Sequence, residues 1–121
     1  MSKLVLIVED DPQVRGLLLA LLTQNGFSVV EAKDGTAALR QLWKHSDAIG
    51  ALLTDVDMGR MDGVELAESV RAEHPDMPVL FISALPISLV DLERAAPGSK
   101  FLQKPFDSAR LIEALRSLMG E

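Results

Sequence analysis

The sequence predicts an α/β domain built on a doubly wound five-stranded parallel sheet with helices on both faces. Three features point there. Five short apolar runs rich in β-branched residues read as strands. The stretches between them, and the one after the last, carry apolar residues at helical spacing. The first, third and fourth runs are apolar almost throughout, which suits parallel strands covered on both sides.

The strands are predicted at Leu4–Val8, Ser28–Glu31, Ala51–Thr54, Val79–Ile82 and Lys100–Gln103. After the first, Asp11-Pro12 supplies an N-cap and a first-turn proline, and Gly26 can end the helix. Val14, Leu17, Leu18, Leu21 and Leu22 form its inward stripe. That leaves Gly16, Leu19, Ala20 and Thr23 on an outer face without charge, where a solvated helix would usually carry some,. Asp34 starts a second helix carrying Ala38, Leu39 and Leu42. Asp62-Gly63 leads into a third with Leu66, Ala67 and Val70, and Pro75 lies beyond its end. A shorter fourth runs over Ile87–Ala96, from Pro86 to the stop at Pro97-Gly98. Asp107 caps the fifth, whose inner side is Leu111, Ile112, Leu115 and Leu118. Trp43 and the five methionines read as packing residues, and His45 and His74, which share no partners, take no ligand role. Strand–helix alternation of this kind winds right-handed into the flavodoxin-like strand order 2-1-3-4-5.

Composition narrows the function. The 121 residues suit one domain,. A net charge of −6 argues against gripping a nucleic-acid backbone,. With no cysteine there is no thiolate site and no cysteine nucleophile,. The apolar run Leu17–Leu22 is far short of the ~20 residues that span a bilayer. The N-terminal run Leu4–Val8 ends in Glu9-Asp10-Asp11, unlike a signal peptide. A cytoplasmic protein is expected.

In doubly wound folds ligands sit past the carboxyl ends of the strands, at the switch point between strands one and three. Strand one ends in Glu9-Asp10, strand three in Asp55, strand four in Ser83 and strand five in Lys104. Carboxylates ~4 Å apart repel by ~4 kcal/mol at an effective dielectric of 20, so such a cluster takes up protons or holds a cation. Oxygen ligands alone favour a hard one, Mg²⁺. An ammonium and a hydroxyl facing that cation are what a phosphoryl group needs. The set points to metal-assisted phosphoryl transfer.

At these residues the chain resembles the receiver domains of two-component response regulators, over essentially its whole length, 1–121. The carriers are Val-Glu-Asp-Asp at 8–11, Leu-Leu-Thr-Asp-Val-Asp-Met at 52–58 followed by Met61-Asp62-Gly63, Phe-Ile-Ser-Ala at 81–84, and Phe-Leu-Gln-Lys-Pro-Phe at 101–106. The resemblance implies that Asp55 is the phosphoacceptor. It implies Mg²⁺ ligation by Asp10, Asp55 and the Asp57 backbone carbonyl, with Glu9 holding a metal-bound water. Lys104, Ser83 and the Ala84 amide would contact phosphoryl oxygens, and Ser83 and Phe101 would switch the surface of the fourth helix, fifth strand and fifth helix. It further implies a cis bond between Lys104 and Pro105. The phosphodonor would be a histidine kinase or a histidine phosphotransfer protein, docking on the outer face of the first helix with Leu19 as the anchor. The domain would be a transfer partner with slow autophosphatase activity, not an enzyme, with a downstream protein partner or output domain. It would have no direct contact with nucleic acid or membrane, and a phosphorylation-dependent dimer fits the same resemblance.

Some positions depart from the family pattern. Gly59 stands where proline is usual, and Phe101 lacks the hydroxyl of the tyrosine found in many members. The positions that tune phosphate lifetime are Asp57 and Leu85. The short fourth helix, followed by Phe-Leu-Gln-Lys-Pro-Phe, resembles receivers at the C-termini of hybrid sensor kinases. Two alternatives compete. Asp55-Val-Asp57 resembles the nucleophile pair of haloacid-dehalogenase-type phosphatases, although that motif normally ends the first strand. The other is a degenerate receiver that acts only by binding partners.

Overall fold

Along strand β1 (Leu4–Val8), Val5 and Ile7 point to one side of the sheet, and Leu6 and Val8 to the other,. All four are fully buried, which is why the run reads as continuously apolar,. The same division holds for β3 (Ile49–Asp55), with Ala51 and Leu53 against Leu52, and for β4 (Val79–Ser83), with Leu80 and Ile82 against Val79 and Phe81. The computed structural model describes residues 3–58 and 62–120. Gly59 and Met61, of interest in the sequence, lie outside the described residues.

With β2 (Ser28–Ala32) and β5 (Lys100–Gln103), the strands form one five-stranded sheet in the order β2-β1-β3-β4-β5, every pairing parallel. On one face, α1 (Pro12–Gln24) and α5 (Ser108–Leu118) bring Leu18, Leu22, Leu111 and Leu115 to a shared core. On the other, α2 (Gly35–His45), α3 (Gly63–Glu73) and α4 (Leu89–Ala95) contribute Ala38, Leu42, Leu66, Val70 and Leu92. The predicted fold class and strand order are those observed. Among the described residues no helix is long and apolar enough to cross a membrane.

The helix boundaries follow their caps. Asp11 accepts from the amides of Gln13 and Val14, and Pro12 opens α1. Gly26 follows the helix with φ of 87°, a left-handed conformation that glycine adopts without penalty,. Ser88 caps α4 by accepting from the Asp91 amide, so this helix starts at Leu89, two residues later than the sequence suggested. β3 is longer than predicted, reaching Asp55 itself.

Three side chains lie elsewhere than their spacing suggested. Leu17, expected inside, is 71% exposed, whereas Leu19, expected outside, is half-buried against the α1–α5 core. The two sit about 100° to either side of Leu18 on the helix, and packing onto β2 and α5 tips the buried stripe toward Leu19. Trp43, expected to pack, is 87% exposed on α2. Met58 and Met77 are buried as expected.

Candidate functional site

The carboxyl ends of β1, β3 and β4 converge beside the loop that follows β5. Register does this: Val8 pairs with Thr54, Asp55 with Ile82, and Ser83 with Gln103. The next residue on each strand, or its last, is therefore an acid, a hydroxyl or a lysine. The Lys104 amide donates to the Ser83 carbonyl at 2.8 Å, and the Lys104–Pro105 peptide is cis, as the resemblance implied.

Glu9 and Asp55 are buried, and Asp10 beside them is exposed. One carboxylate oxygen from each of the three lies within 4.8 Å of the others. Lys104 reaches into this group, its Nζ 3.0 Å from Asp55 Oδ2 and 3.2 Å from Glu9 Oε1. The second Asp55 oxygen accepts from the Asp57 amide at 2.9 Å. Asp55 is thus held at both oxygens, by a cation on one side and a backbone dipole on the other.

Burial comes first in the electrostatics of the site, with neighbouring negative charge adding to it. Burial first, then hydrogen bonding with Asp55, and further Asp10 and the Asp55 charge, push the Glu9 carboxyl up to about 7 from 4.5. The Asp11 amide, which donates to Glu9 Oε2 at 3.1 Å, acts the other way. Burial acts to lower the Lys104 pKa, but its hydrogen bond to Asp55 and the charges of Asp55 and Glu9 outweigh this, and the ammonium is held above its ordinary value,. Three carboxylates that offer only oxygen donors within 4.8 Å of one another could hold a hard divalent cation,.

The remaining predicted residues fall around this centre. Ser83 is fully buried, and the exposed Ala84 follows it. The Ser83 hydroxyl donates to Asp57 Oδ2 at 3.2 Å and accepts from the Leu85 amide at 3.0 Å. Phe101 is half-buried, packed from β5 against the α2–α3–α4 core. α3 starts close under the site: the Gly63 amide donates to the Val56 carbonyl at 2.9 Å, and a Cβ on Gly63 would overlap the Asp55 carbonyl. Only glycine allows that approach. His45 and His74 stand apart from the acid cluster.

Two residues were not anticipated. Arg15 donates through Nη1 to the Glu9 carbonyl at 2.8 Å and pairs with Glu31 at 3.6 Å, bracing the end of β1. Its place four residues past the Asp11 cap, on the same side of α1, is the signal that could have found it. The second is Asp57: the sequence names it for its backbone carbonyl and as a position that tunes phosphate lifetime, but not for the bond its carboxylate accepts from Ser83.

Residues 5–116 match the family described as response regulator receiver domain. The chain is 37% identical over 120 residues to the response regulator MprA of Mycobacterium bovis (strain BCG / Pasteur 1173P2), covering 98% of this chain and 51% of that protein. The chain thus spans about half the length of this curated relative. It is also similar to the receiver domain of the hybrid histidine kinase CckA, with 33% identity and a TM-score of 0.81, covering 96% of this chain and 98% of that one. A third likeness is to a chain of the CheX-CheY-BeF3-Mg+2 complex from Borrelia burgdorferi, with 28% identity and a TM-score of 0.87, covering 96% and 88%. These likenesses, and Asp55 at the end of the third strand, remove the phosphatase alternative.

Proposed function

The chain belongs to the response regulator receiver domain family of two-component signalling, and from that premise we propose that Asp55 accepts a phosphoryl group from a histidine kinase or a histidine phosphotransfer protein. Receiver domains are regulatory, not enzymes in the usual sense. What carries this reading is how Asp55 is held: buried at a strand end, Oδ2 on Lys104 and Oδ1 on the Asp57 amide, with two further carboxylates within reach.

In the transfer a carboxylate oxygen of Asp55 attacks phosphorus, and the phosphorus–nitrogen bond to the donor imidazole breaks. Glu9, Asp10, Asp55 and the Asp57 backbone carbonyl would hold Mg²⁺, which when bound neutralises the cluster and polarises phosphoryl oxygens. Lys104 then exchanges its bond to Asp55 for one to a phosphoryl oxygen. The Ser83 hydroxyl and the Ala84 amide bind the others. Most of the acceleration is positioning and charge neutralisation. A slow return to the free carboxylate by hydrolysis follows from the same groups acting on water.

The Ser83 hydroxyl donates its hydrogen bond to Asp57, so engaging a phosphoryl group means leaving that partner. Phe101 turning inward behind it would carry the change to the surface of α4, β5 and α5, where a downstream partner or a phosphorylation-dependent dimer would read it. The donor would dock on the outer face of α1, now centred on Leu17. Residues 1–121 would act as one receiver domain in the cytoplasm, either within a hybrid kinase, as in CckA, or beside an output domain. A degenerate, binding-only receiver finds no support, because Asp10, Asp55, Ser83 and Lys104 are all in place.

Acetyl phosphate with Mg²⁺ should add one phosphate to the wild type and none to Asp55→Asn, read by intact mass. Equal labelling of the two proteins would defeat the assignment.

A further inference from the structure

Trp43 is the most exposed of the large apolar side chains on the described surface, at 87%. An indole buries roughly 200 Å² when covered. It shares the outer stripe of α2 with Arg40 and Lys44, and among the described residues neither of these cations makes an ion pair. α3 packs beside α2 on the same face of the sheet. Its own outer stripe carries Glu65, Glu68 and Ala72, all exposed, and the two acids likewise have no ion-pair partner among the described residues. A basic-aromatic stripe therefore lies alongside an acidic one.

We propose that this face binds a second copy of the chain, α2 of each copy lying on α3 of the other about a two-fold axis that runs along and between the two helices.

The helices suit such an axis. Both are 11 residues long and, as crossovers between parallel strands, both run in the same sense. A two-fold along the helix direction keeps residues at their level and exchanges the helices. The basic stripe of α2, with Trp43, then faces the acidic stripe of α3 in the second copy. Symmetry makes each contact twice. An extended anionic surface, whether nucleic acid or lipid, would meet the α3 acids as soon as it covered α2, and the net charge of −6 adds to that repulsion. A second copy answers both stripes at once. This face is not the α4–β5–α5 surface, so the association is independent of the state of Asp55.

Trp43 is the sole tryptophan, so its emission reports burial of the contact directly. Sedimentation equilibrium and emission are measured together from micromolar to millimolar protein. The expected result is a doubling of mass accompanied by a blue shift, both weakened by added salt. Arg40→Glu with Lys44→Glu, and separately Glu65→Lys with Glu68→Lys, should each weaken self-association at least tenfold. Mixed together, the two variants should form a one-to-one pair, because both contacts regain opposite charges. Trp43→Ser, followed by sedimentation alone, gives a single-site check with the same expected loss. Labelling by acetyl phosphate should be unchanged in all of them, which verifies the fold. A wild type that stays monomeric at millimolar concentration, variants that associate as tightly as wild type, or a mixture that fails to pair would each overturn the proposal.

Discussion

The hydroxyl of Ser83 donates to the carboxylate of Asp57 at 3.2 Å. Ser83 ends β4 and Asp57 lies two residues past the end of β3, and the contact ties the hydroxyl to a partner that a phosphoryl group would have to replace. Asp57→Ala frees the hydroxyl and removes a negative charge beside the incoming phosphate. Labelling by acetyl phosphate should then speed up about threefold to tenfold, a barrier change of about 0.6–1.4 kcal/mol. The measurement is the initial rate of phosphate addition at saturating Mg²⁺. An unchanged or slower rate would show that the contact does not restrain Ser83.

Lys104 pairs with two buried carboxylates at once. Lys104→Met leaves them facing each other, and with the ammonium itself 24% exposed the expected loss is about 2 kcal/mol, less than for a fully buried pair,. Thermal unfolding without metal should show a lower midpoint, and Mg²⁺ should raise the variant's midpoint more than the wild type's. Equal Mg²⁺ effects would mean that Lys104 does not share the charge of the cluster.

Glu9 gives a pH dependence with a definite sign. Its carboxyl is held up to about 7 in the folded chain against 4.5 ordinarily, so between those values the folded state binds more protons than the unfolded one. Stability of the metal-free protein therefore falls as pH rises through that window. Glu9→Gln lacks the titrating group, so the wild-type midpoint should drop relative to this variant from pH 4.5 to 7, in chelator. Parallel profiles would contradict the assignment.

The outer face of α1 is uncharged across Gln13, Gly16, Leu17, Ala20 and Thr23. Leu17→Glu should slow transfer from the cognate phosphodonor protein about tenfold or more while leaving labelling by acetyl phosphate intact. Leu19→Glu should instead lower the unfolding midpoint, because Leu19 packs into the core. The opposite pattern would restore Leu19 as the docking anchor.

The order of elements and the acid cluster were legible because each motif ends its own strand, and strand ends share one edge by topology. Helix caps at Asp11, Asp34, Asp62 and Asp107 were legible for a local reason: each carboxylate and the amide that donates to it are within three residues. Which way α1 turns was not. Apolar residues occur on most of its circumference, so only contacts from other elements decide between Leu17 and Leu19. Trp43 was misjudged because burial was inferred from residue type, and α2 already fills its inner stripe with Ala38 and Leu42. The Ser83–Asp57 bond joins residues 26 apart, beyond any local pattern.

Reductive trapping tests Asp55 as the phosphoryl acceptor most directly. Protein labelled with acetyl phosphate and Mg²⁺ is reduced with borohydride, which converts an aspartyl phosphate to homoserine, and the site is located by fragmentation mass spectrometry. The conversion should map to Asp55 alone. Conversion at Asp10, Asp11 or Asp57 instead, or none in protein shown by intact mass to be labelled, would contradict it.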